Sequence, residues 1–154
     1  MKNREIYDIA MCLLDEPDSD LRLEDYESRA PYVLGGFFYE NYRLDDRYRE
    51  LTGQSARQTA LSIPKGLDGD FPLSDRFVFV AANYLASILV CDSDSELSDK
   101  LLKIYDSSMQ KIMDEFKKSE NETDSGNGGS VDTDGETVAR GKSHSIVNVY
   151  GSIT

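Results

Sequence analysis

Histidine occurs once in this chain, at His144, and cysteine twice, at Cys12 and Cys91. The lone histidine has no Cys or Asp at the spacing of a catalytic triad or a metal site, which argues against nucleophilic and metal-centred chemistry. No P-loop, dinucleotide-binding fingerprint or CxxC pair is present. Gly126, Gly128 and Gly129 fall in a polar stretch with no strand before them and no Lys-Ser/Thr after, so they read as spacer. No catalytic residue, metal ligand or cofactor-binding residue is expected. The two cysteines sit in apolar helical stretches and read as buried free thiols of a reducing compartment, with a Cys12–Cys91 bridge as the alternative.

Long apolar runs are also missing. The longest mainly apolar stretch, 77–91, is interrupted by Asn83 and Ser87 and is too short for a bilayer. The opening MKNREIYDIAMCLLDE is charged and amphipathic without a continuous apolar region, which predicts no secretory signal. Bases are scarce: 17 Lys and Arg face 29 Asp and Glu, a net charge of −12. Such a chain repels phosphate and is a poor DNA-gripping protein, although it can sit beside DNA without holding it.

What the chain does contain is helical periodicity, followed by a sharp change of composition. Its 154 residues suit one domain with flanking segments. Residues 119–136 (SENETDSGNGGSVDTDGE) hold six acids, no base and one apolar side chain, Val131. Residues 137–154 hold Arg140 and Lys142 and no acid. Setting those six acids and two bases aside from −12 leaves −8 on residues 1–118. The expected organisation is a helical domain, 1–118; a flexible acidic linker, 119–136; and a C-terminal docking arm, 137–154. The fold expected is all-α, a bundle of about five helices.

The first helix is predicted over 3–15, where Ile6, Ile9, Ala10, Leu13 and Leu14 make one buried stripe and Pro17 stops it. In the second, Tyr26, Ala30, Val33, Leu34, Phe37 and Phe38 keep a helical period through Pro31. The helix starts near Pro31 or starts near Asp25 and kinks, and the continuous stripe favours the longer form. Gly35 and Gly36 cost it about 1 kcal/mol each and point to close approach by a neighbour. A short third helix is expected over 44–51, with Asp45 and Asp46 as helix-start acids and Gly53 ending it. Residues 54–73 read as a connector punctuated by Pro64, Gly66, Gly69 and Pro72. Ser74 is the expected N-cap of a fourth helix, 75–91, apolar on most faces and central to the bundle. A capping box at Ser93 and Glu96 opens the fifth, whose stripe is Leu97, Leu101, Ile104, Tyr105, Ile112, Met113 and Phe116. The short loop between them makes an antiparallel hairpin.

Two acidic clusters resemble metal sites without completing one. Asp132, Asp134 and Glu136 fall short of a calcium loop, because Ser130 and Gly141 stand where its first and last ligands belong. Asp92, Asp94 and Glu96 read as helix-start acids. Arg43, Arg47, Arg49 and Arg57 form a basic patch balanced by Glu40, Asp45, Asp46 and Glu50, which favours a salt-bridged face or a protein contact. Tyr39 and Tyr42 lie off the centre of the second helix's stripe, at a core edge or a subunit contact. With Arg43 and Arg47 they are the candidate subunit interface. Near the end of the chain, Ile146, Val147, Val149 and Tyr150 have strong β-propensity and no sheet of their own, so the arm is expected to add to a sheet of another chain. The linker before it spans about 23 Å on average.

The order of these pieces resembles the head–tail connector (adaptor) proteins of tailed bacteriophages, particularly those of low-GC Gram-positive hosts. The pieces are the short first helix, Asp25-Tyr26 through Arg29-Ala30-Pro31, the lead-in Asp70-Phe71-Pro72-Leu73, Asn83-Tyr84-Leu85-Ala86, and a closing helix with Leu97 and Tyr105. The resemblance covers residues 1–118, and the acidic linker departs from it in length and composition. It implies a non-enzymatic protein of the virion neck, assembled in the host cytoplasm into a homo-oligomeric ring, a dodecamer. Such a ring binds beneath the portal protein, carries the next neck or tail component and lets DNA pass without specific binding. A cellular helical adaptor docking through its arm is the competing expectation.

Overall fold

The computed structural model describes residues 1–14, 20–55, 57 and 61–125. Among these the chain forms four α-helices: α1 (Asn3–Leu14), α2 (Asp20–Leu51), α3 (Val78–Val90) and α4 (Ser95–Ser125). A 3-10 turn, Asp75–Phe77, leads directly into α3. The described residues contain no strand, only an isolated antiparallel bridge between Lys2 and Asp70. None of the helices is long and apolar enough to cross a membrane.

The helical expectation holds in outline and changes in detail. The segment 44–51 is not a separate helix, because α2 runs unbroken from Asp20 through Pro31 to Leu51. Leu44 and Asp45 fall on its inward side, so no new start is required there. Gly53, at φ 65°, occupies the left-handed region that favours glycine and turns the chain just after the helix. At the other end of the bundle, α4 continues past Lys118, where the apolar period stops, to Ser125.

α3 occupies the centre and packs against the other three helices. Ala81, Ala82, Leu85, Ala86 and Leu89 on it are buried, with Leu85 fully so. Around it stand Ile6 and Ala10 of α1, Ala30, Leu34, Phe37 and Phe38 of α2, and Leu101, Ile112 and Phe116 of α4. Rings fill the gaps: Phe37 lies 5.6 Å from Tyr84, Tyr84 lies 5.2 Å from Tyr105, and Phe38 meets Phe71 edge-on at 5.5 Å. α3 and α4 form the antiparallel hairpin. Ser98 Oγ donates to the Ser87 carbonyl beside the turn, and Arg76 pairs with Glu115 at the far end.

Some edge positions face outward. Leu13, Ile104 and Met113 are exposed, since each lies at the margin of its helix's stripe. Both cysteines are free and exposed, contrary to the buried thiols expected. On α1 the buried side is Asn3, Ile6, Tyr7, Ala10 and Leu14, and Cys12 falls opposite it; Cys91 lies in the turn after α3. The cap of α4 also differs. Asp94 Oδ1 accepts the Leu97 N–H at 2.9 Å, whereas Ser93 Oγ contacts the Val90 carbonyl and Glu96 pairs with Lys100.

The connector is held at both ends. At its far end the Asn3 N–H donates to the Gly69 carbonyl, the Arg4 N–H to Leu67 and the Phe71 N–H to Met1. In its middle, Ile63 lies across α2 where Gly35 has no side chain: a Cβ there would stand 3.1 Å from Ile63 Cγ2. Tyr39 Oη donates to the Leu61 carbonyl at 3.2 Å. The close approach inferred from the glycine pair is therefore made at Gly35. Gly36 has no atom of the described residues within 4 Å of the position a Cβ would take.

Candidate protein-binding surface

The inward face of α2 carries Tyr26, Ala30, Leu34, Phe37, Asn41 and Asp45, all buried. A helix period of 3.6 residues then places Tyr32, Gly36, Tyr39 and Arg43 together on the opposite, solvent face. Tyr32 is 71% exposed and Tyr39 50%; Gly36 and Arg43 are exposed as well. Of the four expected interface residues, Tyr39 and Arg43 belong to this face. Tyr42 is half-buried beside it, with the Arg43 guanidinium 5.7 Å from its ring centre and Arg43 Nε donating to its hydroxyl at 3.0 Å. That hydrogen bond raises the pKa of Arg43. Arg47 is exposed and paired with Glu50 at 2.9 Å. Tyr32 completes the aromatic face. Its sequence signal is its place one turn before Gly36 and two before Tyr39, off the apolar stripe.

The rest of the basic patch has a different task. Asp45 has no exposed surface, and its two oxygens are fully engaged. Oδ2 accepts from Arg49 Nε at 2.8 Å and from Arg57 Nη2 at 3.0 Å. Oδ1 accepts the Ser74 N–H at 2.8 Å and the Ser74 hydroxyl. Arg57 reaches on to Asp46 and to the Tyr42 carbonyl. Asp45 and Asp46 are thus not helix-start acids. They tie the end of α2 to the connector and to the residue that opens the 3-10 turn. Ser74 holds the N-cap place but spends its hydroxyl on Asp45 rather than on its own turn.

A third exposed ring stands on α3. Phe79 is 69% exposed although its helix is otherwise the most enclosed. Three residues before it, Arg76 lies over the rings of Tyr48 and Phe116 at 5.2 and 5.8 Å, and those rings stack at 5.5 Å.

Beneath the connector lies a cavity of about 940 Å³, lined among others by Asn3, Phe38, Arg57, Ile63 and Phe71. Asn3 Oδ1 and Arg57 Nε and Nη1 have no hydrogen-bond partner among the described residues. These atoms have almost no solvent-accessible surface. Among the described residues no group of His, Cys, Asp or Glu is arranged to hold a metal ion. Asp92 faces Arg29 at 3.9 Å, and Asp94 caps α4. His144, the acids at Asp132, Asp134 and Glu136, and the arm residues Ile146, Val147, Val149 and Tyr150 lie outside the described residues. Comparison with known proteins finds no matching family model, no matching curated relative and no matching solved structure.

Proposed function

We propose that the chain is a structural protein of a tailed-phage neck, acting by assembly rather than catalysis. It forms a ring under the portal at the head–tail junction of the virion, extends the DNA channel and carries the next neck or tail component. The observation that carries this reading is the solvent face of α2, where Tyr32, Tyr39 and Arg43 stand exposed. Tyrosine and arginine are enriched at the energetic centres of protein–protein contacts, and none of these side chains belongs to the buried core. The resemblance of the order of sequence pieces to phage connectors supports the same reading, as does the charge of −8 on residues 1–118. A channel without a lattice of bases lets DNA slide. The arm, through Ile146, Val147, Val149 and Tyr150, is the part assigned to the portal.

Electron microscopy of purified portal mixed with the full chain tests this. The expected result is an added layer of density at the portal's tail-facing end. Portal rings without added density at saturating concentrations of the chain would overturn the reading.

A further inference from the structure

Gly36 and Phe79 are both anomalous in the isolated chain, and each supplies what the other lacks. A glycine inside a helix weakens it. At Gly35 the connector explains the choice, because Ile63 would collide with a side chain. At Gly36 nothing among the described residues does, since its Cβ position is open to them. The result is a notch on the solvent face of α2, walled by Tyr32 one turn before and Tyr39 one turn after. Phe79 is the converse: a large apolar ring, 69% exposed, projecting from the central helix. The charges beside them are complementary. Arg43, one turn beyond Tyr39, meets the Tyr42 ring and hydroxyl and pairs with no carboxylate among the described residues. Asp75, one turn before Phe79, is exposed and in no ion pair among them.

We infer that the partner of the α2 face is a second copy of this chain, whose Phe79 enters the notch at Gly36 while its Asp75 lies beside Arg43. This rests on the reading of the chain as a ring-forming protein. Because notch and knob lie on different helices, the contact is heterologous: each copy offers the notch to one neighbour and the knob to the other. Repetition with a rotation that closes gives a ring.

Sedimentation velocity on the full chain over a range of concentrations tests the contact. The wild type should self-associate. Gly36→Leu, which fills the notch, and Phe79→Ser, which removes the knob, should each weaken association by about tenfold or more. Thermal melts should show both variants folded, with Gly36→Leu melting no lower than wild type. A mixture of the two should form dimers that grow no further, since one intact notch and one intact knob remain. Arg43→Asp should weaken association, and Arg43→Asp combined with Asp75→Arg should restore it. A wild type that stays monomeric, or variants that associate as the wild type does, would overturn the inference. Portal microscopy separates the two ideas. A density layer formed alike by wild type and both variants leaves the neck reading standing and removes this contact, whereas no layer with wild type removes the neck reading itself.

Discussion

Asp45 accepts both the backbone N–H and the hydroxyl of Ser74, 29 residues further along the chain. One buried carboxylate thereby joins the end of α2 to the start of the central helix, with Arg49 and Arg57 neutralising it from the other oxygen. Such a cluster is expensive to break from one side, because Arg49 loses its carboxylate and the largely buried Arg57 keeps only that of Asp46. Asp45→Asn is expected to cost about 3 kcal/mol or more. Asp46→Asn, at a half-exposed position, should cost no more than about 1 kcal/mol. Urea unfolding of the two variants checks this, and equal midpoints would refute the special place given to Asp45.

The neighbouring glycines should respond differently to the same change. Gly36→Ala gains helix propensity with no collision, so stability at low protein concentration should rise by about 1 kcal/mol. In Gly35→Ala the new methyl stands 3.1 Å from Ile63 Cγ2 and 3.4 Å from Ile63 Cα. Its gain should be smaller or reversed, and should recover when Ile63→Ala is combined with it. A double-mutant cycle with no coupling between Gly35 and Ile63 would contradict the packing described.

How much of the fold is legible in the sequence depends on whether the causes are local. The apolar α3 and the α3–α4 hairpin follow from periods and a short loop and are where the pattern puts them, whereas the α1 stripe is turned, with Asn3 and Tyr7 buried and Leu13 exposed. The continuity of α2 is hidden because Leu44-Asp45-Asp46 reads as a helix start when the acids are taken as solvated. Asp45 is instead paired with Arg57 and Ser74, 12 and 29 residues away, and such partners leave no periodic trace. The outward cysteines escape the pattern for another reason. An apolar stretch is not buried on every side, and Cys12 lies on the far side of α1 from Ile6 and Ala10. Of the interface candidates, Tyr39 and Arg43 share an exposed face, and Tyr32 stands on it at the same helical spacing.

A charge placed in the centre should be fatal to the fold. Leu85 has no exposed surface, and Leu85→Asp buries a carboxylate with no partner at a cost of several kcal/mol, comparable with the roughly 5–15 kcal/mol stability of a small domain. The variant should show no cooperative unfolding by circular dichroism. Leu102→Asp, at an exposed position on α4, is the control and should melt near the wild type. A cooperatively folded Leu85→Asp protein would remove α3 from the centre.

Alkaline pH should act on the aromatic cluster. The hydroxyls of Tyr84 and Tyr105 are both held above the ordinary tyrosine value of 10.0, chiefly by burial and next by the charge of Glu40. The neutral form is therefore favoured in the fold. Its contribution to stability is complete below the unfolded value near 10 and is lost as pH rises through the folded values. Ultraviolet titration should show late-ionising tyrosines, and two of them should disappear in the Tyr84→Phe, Tyr105→Phe double variant. Ionisation of all tyrosines in one step near 10 in the folded protein would be the contrary result.

The arm offers the cleanest separation of folding from assembly. The core formed by the described residues runs to Phe116, and Ile146, Val147, Val149 and Tyr150 lie outside those residues. Their alternation places Ile146 and Tyr150 on one face of an extended segment and Val147 and Val149 on the other. An added strand gains ladder hydrogen bonds from its backbone and selectivity from side chains on alternating faces. Deleting residues 143–154 should therefore leave the melting temperature of the bundle unchanged and sharply reduce attachment to portal in co-sedimentation. Proline at Val147 should weaken attachment more than alanine, since it removes a backbone donor together with the side chain. Equal losses for the two would point to side-chain docking in place of strand addition, and a truncated chain that attaches as well as the full one would remove the arm from the portal contact altogether.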